Sequence, residues 1–170
     1  MKLLLKKWGF SYKGLIDNSN GEWYLIFQLV IILAHLITPF GLIAIASKEW
    51  YKLIFFFGIG ISTWGAILAL KAFIDLGVNL TPLAEPVNGS QLVKVNSYKF
   101  CRHPLYKALI IVSIGIFLSV CSLSHLLLLV LLSIILKIKA LEEEKRLKKI
   151  HNEYGNYIKN VPAIFKNIIF

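Results

Sequence analysis

The sequence predicts an all-α, polytopic membrane protein of about four transmembrane helices, ending in a helical hairpin and an amphipathic cytoplasmic helix. Three observations predict it. Of 170 residues 57% are hydrophobic, against about 45–50% in a soluble domain. The 19 Lys and Arg and nine Asp and Glu gather between apolar blocks instead of spreading along the chain. Finally, Ala108 to Leu136 is a run of 29 residues without Asp, Glu, Lys or Arg, too long for a single crossing.

Composition also excludes several classes. A net charge of +10 would suit nucleic acid, but the basic residues flank apolar segments, as anchors facing anionic lipid headgroups do. No nucleic-acid partner is expected. Cys101 and Cys121 offer neither a disulfide framework nor a C-x-x-C metal pattern, so no metal site is expected. The start, MKLLLKKWGF, has three consecutive leucines, too few for a signal-peptide core.

The elements follow in order. Trp23 to Ser47 is uncharged apart from His35 and long enough to span ~30 Å of hydrocarbon, with a kink expected at Pro39. Trp23, Tyr24, Trp50 and Tyr51 bracket it as interfacial aromatics do. Leu53 to Leu70 is a second span, whose Gly58, Gly60 and Gly65 permit close helix contact. Residues 75–98 form a polar connector, with two prolines and a turn at Asn88–Gly89.

As one helix, Ala108–Leu136 would reach ~44 Å at ~1.5 Å per residue. SVCSLSH at 119–125 offers a turn, so the reading is a hairpin with limbs near 105–119 and 123–138 and His125 in the turn. Charge supports it. With the N-terminus inside and four crossings, 17 of 19 basic residues are cytoplasmic, leaving Lys48 and Lys52 outside. The hairpin returns the tail to the face that carries Arg102 and His103.

That tail reads as an amphipathic helix whose Leu147, Ile150, Tyr154, Tyr157 and Val161 recur at spacings of 3, 4, 3 and 4. Glu142 and Glu144 have Arg146 and Lys148 at i+4, the orientation of exposed ion pairs. Glu143 has Leu147 there, which turns it inward, where a carboxylate needs a partner. Two partners fit: a salt bridge to Lys139 or Arg102, or the ammonium or hydroxyl groups of a ligand. Arg102 is equally open between a lipid-phosphate anchor and a clamp on a carboxylate. His103 is fixed by Pro104 and followed by Tyr106; His35 reads as an interhelical hydrogen-bonder, His151 as helix surface, and Cys101 as a packing residue.

LVKVNSYKFCRHPLY resembles the L-V-x-x-G-x-Y-x-x-x-R-H-P-x-Y signature of the isoprenylcysteine carboxyl methyltransferase and phospholipid methyltransferase group. EEKRLKKIHNEYGNYIKNVP is similar to that group's E-E-x-x-L … Y-x-x-Y-x-x-x-V-P tail. The resemblance covers roughly residues 75–165. It implies an integral membrane enzyme that transfers a methyl group from S-adenosyl-L-methionine, without a Rossmann domain. Carried over by position, Leu92, Val93, Tyr98, Arg102, His103, Pro104, Tyr106 and Glu143 bind the cofactor. Arg102 and Glu143 are its catalytic residues, and Lys139 contacts substrate. The chain then divides into a basic interfacial segment (1–22), two spans (23–74) and a methyltransferase-like region (75–170).

The sequence departs from the family at three places. Asn96-Ser97 replaces a small-Gly turn, His151-Asn152 replaces Phe followed by Gly or Pro, and Lys139 replaces an Arg. The implied acceptor is a membrane lipid or prenylated molecule, methylated on a carboxylate as in isoprenylcysteine. Alternatives are phospholipid or isoprenoid N- or C-methylation, a NADPH-dependent sterol or enone reductase, and a non-catalytic scaffold. Both termini and the active site are expected on the cytoplasmic side.

Overall fold

A computed structural model describes residues 8–38, 48–87 and 89–164. Those residues form helices α1 (Tyr12–Asp17), α2 (Glu22–Ile37), α3 (Lys48–Leu76), α4 (Pro104–Val120), α5 (Leu123–Ile150) and α6 (Tyr154–Asn160), with no strand among them. Single 3₁₀ turns lie at Gly77–Asn79 and Asn96–Lys99. Of the first predicted span, Glu22–Ile37 is helical, while Pro39 and the residues to Ser47 lie outside the described residues. Asn88 of the predicted Asn-Gly turn does too.

Two helices are long and apolar enough to cross a membrane, Glu49–Asn79 and Leu123–Ile150; Glu22–Ile37 and Pro104–Val120 are shorter apolar helices. Only 11% of the most apolar window of the first is buried. Phe56, Phe57 and Leu70 instead point outward, each more than 60% exposed. So large an unburied apolar surface demands an apolar solvent, and a bilayer supplies it.

Helix α4 runs antiparallel to α3 and α5, and α5 runs antiparallel to α2. The α3–α4 seam is the closest because its residues are small. A Cβ on Gly58 would fall 2.6 Å from the Gly115 carbonyl oxygen, and one on Gly65 would fall 2.8 Å from the Val112 amide nitrogen. Gly60 faces open space, so two of the three glycines serve the contact. Ser62 Oγ donates to the Val112 carbonyl and Ser119 Oγ to that of Phe55, each at 3.3 Å. In hydrocarbon, where apolar burial supplies little drive, such close backbone packing and hydrogen bonding hold helices together.

The hairpin turns at Cys121–Ser122, within the predicted segment, with Cys121 in the left-handed region at φ 49°. His125 is not in that turn. It lies in the first turn of α5, fully buried, where its Nε2 donates to the His35 carbonyl at 3.3 Å. The second limb runs unbroken through residue 138 into the tail, as far as Ile150.

The tail is not one amphipathic helix. Its backbone becomes extended at His151 and helix resumes at Tyr154. Ile150, expected on the inward stripe, is 50% exposed, whereas Tyr154 and Tyr157 are buried. The bend is what lets both rings fold back over the connector. The chain then passes under Arg102 and His103, whose backbone amides donate to the Pro162 and Ala163 carbonyls at 2.9 and 3.0 Å.

Candidate active site

The end of the bundle holding the α2 N-terminus, the α3 C-terminus and the α4 N-terminus carries the polar chemistry. Asp75, at the end of α3, accepts from the Ser97 amide at 3.0 Å, the Ser97 hydroxyl at 2.5 Å and Asn96 Nδ2 at 3.2 Å. These bonds fix the 3₁₀ turn that delivers Tyr98 inward, 7% exposed. Asn96 stands where the resemblance puts glycine and adopts φ +54°. Asn tolerates the left-handed region better than most side chains, so the departure is accommodated. Burial first, then the charge of Glu143, pushes the Tyr98 phenol well above its usual range and keeps it a donor.

Arg102 and His103 enter next, set by Pro104 at the first position of α4. Arg102 Nε donates to Glu144 Oε1 at 2.8 Å, while its Nη1 donates to the Ile158 and Val161 carbonyls at the end of α6. His103 Nε2 donates to the same Glu144 oxygen at 3.0 Å. Glu144 is therefore not the exposed partner of Lys148. It is 8% exposed, because a buried guanidinium and imidazole outcompete a solvated lysine for it.

Glu143 faces the other way. Its Oε2 accepts from the Tyr106 hydroxyl at 2.8 Å and lies 3.6 Å from His103 Nδ1. The Tyr106 and His103 rings are parallel, 1° apart in tilt. Glu143 keeps a quarter of its side chain exposed. Neither Arg102 nor Lys139 bonds to it; Lys139 Nζ donates instead to Gln28 Oε1 at 2.9 Å and to the Pro82 carbonyl at 2.7 Å.

Two adjoining hollows share Leu76, Thr81, Tyr98, Arg102 and Glu143 as their common wall. The outer one is an open cleft of about 550 Å³ including its mouth, bounded also by Leu92, Val93, Tyr154 and Tyr157. The inner one reaches His103, Leu105 and Tyr106. Pro104 and Lys139 line neither; Pro104 positions and Lys139 lies buried behind Tyr106, its ammonium 5.3 Å from the ring centre.

Sequence reasoning missed Glu144 and the polar wall of Asn79, Thr81, Ser90 and Gln91. It also missed Arg146, whose guanidinium ties Glu85 of the connector and the Ser19 carbonyl to α5. No periodicity marks these residues, because their partners lie far off in sequence. Cys101 is a packing residue as read. Its Sγ donates to the Ala163 carbonyl at 3.0 Å, and burial raises its thiol above the ordinary range.

These features define a helical membrane protein with a polar two-part pocket at one end of its bundle. The family model for phospholipid methyltransferases matches residues 53–154, from the first turns of α3 to the start of α6. The chain belongs to the phospholipid methyltransferase family and is a membrane methyltransferase. No curated protein and no solved structure matches it.

Proposed function

We propose that the protein uses S-adenosyl-L-methionine to methylate the polar head of a lipidic or prenylated acceptor at the cytoplasmic face of a membrane. The observation that carries this reading is the shared wall of the two hollows. There a partly exposed carboxylate, Glu143, stands between an outer cleft of mixed polar and aromatic lining and an inner one at the membrane helices.

The residues suit the cofactor. Glu143 offers negative charge to an ammonium or sulfonium, or accepts from ribose hydroxyls. Asn79, Thr81, Ser90 and Gln91 supply hydrogen-bonding groups, and Tyr98, Tyr154 and Tyr157 an aromatic edge. When bound, the cofactor supplies an already activated methyl group. What remains for the protein is alignment and exclusion of water.

Tyr106 holds Glu143 in place through its hydroxyl, and the parallel His103 ring backs Tyr106. The Arg102–Glu144 pair holds α6 against α5, keeping Tyr154 and Tyr157 over the cleft. Arg102 on this reading positions the site and also forms part of its wall. Lys139 places a cation behind the inner hollow, which suits an anionic acceptor group, carboxylate or phosphate. A carboxylate acceptor needs no general base, whereas an amine must arrive neutral or lose its proton.

Purified protein incubated with methyl-labelled S-adenosyl-L-methionine and a panel of phospholipids and prenylated thiols tests this. Label released by mild base identifies an ester, as from an isoprenylcysteine carboxylate; stable label identifies N- or C-methylation. Binding of NADPH in place of S-adenosyl-L-methionine would favour the reductase alternative, and binding of neither would leave a scaffold.

A further inference from the structure

The connector that walls the cleft is tied down by the N-terminal part of the chain, which lies outside the matched residues 53–154. Three ties do this. The Glu85 amide donates to the Asn20 carbonyl at 3.2 Å. Arg146 bridges Glu85 to the Ser19 carbonyl. Lys139 bridges the Pro82 carbonyl to Gln28 of α2. Between them Gly21, at φ +84°, lets Ala84 come so near that a Cβ on the glycine would fall 2.7 Å from the Ala84 Cβ. Leu83 and Ala84 are buried accordingly.

The innermost tie differs because it carries a buried charge. Lys139 is 2% exposed, and among the described residues it forms no ion pair. Its ammonium meets Gln28 Oε1, the Pro82 carbonyl and the face of the Tyr106 ring. An ammonium only donates, so the amide oxygen of Gln28 is the atom that must face it. Two neutral oxygens and one aromatic face therefore hold the charge. With solvent shut out, removing either oxygen leaves a buried donor short of a partner, which is costly.

Both sides of this tie reach the wall shared by the two hollows. Pro82 follows Thr81, which borders both, and the Leu83 amide donates to the Thr81 hydroxyl at 3.1 Å. Tyr106, whose ring Lys139 supports, gives its hydroxyl to Glu143. Gln28 itself borders neither hollow. We propose that Gln28 is a positioning residue of the active site: through the Lys139 ammonium it sets where Thr81 and the Tyr106–Glu143 pair stand. Helix α2 is then part of the catalytic unit, not a separate membrane anchor. That the positioned groups receive S-adenosyl-L-methionine rests on the function proposed above; the tie between Gln28 and the connector does not.

The full chain in nanodiscs tests this by amide hydrogen exchange and by calorimetry with S-adenosyl-L-methionine. Gln28→Met keeps the side-chain length and removes the strong acceptor; Gln28→Leu does so should the first not fold. Exchange at the Leu83 and Glu85 amides should quicken while the Val112 amide, in the α3–α4 seam, stays as protected as before. Cofactor affinity should fall roughly tenfold, the scale of one lost hydrogen bond to a charged group. Gln28→Glu, which retains an acceptor oxygen, should restore both readouts. Combined with Lys139→Met, Gln28→Met should lower affinity no further than Lys139→Met alone, because the two residues act as one unit. Wild-type exchange and affinity in Gln28→Met and Gln28→Leu would overturn the proposal. So would additive losses in the double variant, or faster exchange spread evenly over the helices, which marks general destabilisation. The expected exchange pattern in a protein that binds no S-adenosyl-L-methionine would sustain the tie and overturn the cofactor reading instead.

Discussion

Arg102 Nε stands 2.8 Å from Glu144 Oε1, with both side chains about nine-tenths buried, and the neighbouring Glu143 takes no part in that pair. Two adjacent carboxylates thus have separate tasks. Glu144 joins the Arg-His segment to the tail, and Glu143 borders the cleft.

Truncating one partner of a buried pair strands the other charge, at a cost of about 3–5 kcal/mol. Arg102→Ala and Glu144→Gln should each lower the thermal midpoint in detergent markedly. Arg102→Lys should recover little, since a point charge cannot serve Glu144 and two carbonyls together. A wild-type midpoint for Glu144→Gln would refute the structural role of the pair.

Glu143→Gln should leave that midpoint within a degree or two, because one side of the carboxylate already meets the open cleft. Cofactor affinity should fall by one to two orders of magnitude, as expected when a charge-assisted contact worth about 1.5–3 kcal/mol is lost. Calorimetry with S-adenosyl-L-methionine measures it, and undiminished affinity would remove Glu143 from the site.

Gly65→Ala should separate α3 from α4 and cost about 1–3 kcal/mol, the range for overpacking a tight contact. Gly60→Ala, on the open side of the same helix, should be neutral or slightly stabilising. Equal melting temperatures for the two variants would mean that the seam is not as close as described.

Lys94 Nζ and Glu153 Oε2 are 2.6 Å apart and both exposed, which puts the connector and the tail on one face. Cysteines introduced at 94 and 153 in a protein lacking the native pair should cross-link on oxidation. In sealed vesicles both should react with an impermeant maleimide from the same side. Labelling from opposite sides would remove the convergence on which the site depends.

Cys101 should resist alkylation in the folded protein at pH 8. Burial raises its thiol pKa, so the reactive thiolate is scarce below that raised value and grows only as the pH climbs past it. Denaturant should restore the ordinary rate. Rapid modification of native Cys101, followed by mass spectrometry, would contradict its packing.

Hydropathy and charge placement alone determine that the chain is helical, that its apolar blocks suit a membrane and that residues 108–136 double back. They also bring residues 102–103 and 143–144 to one end, since a hairpin returns the chain to the face it left. These features are legible because they depend on length and periodicity, which are properties of neighbouring residues. Tertiary structure alone decides which glutamate meets Arg102. Helical spacing turns Glu143 inward and leaves Glu144 to an exposed pair with Lys148, and only the position of α6 places the guanidinium against Glu144. Packing likewise breaks the tail at His151, where a continuous stripe from Leu147 to Val161 was expected. Burying Tyr154 and Tyr157 over Tyr98 requires a bend that the local sequence does not encode.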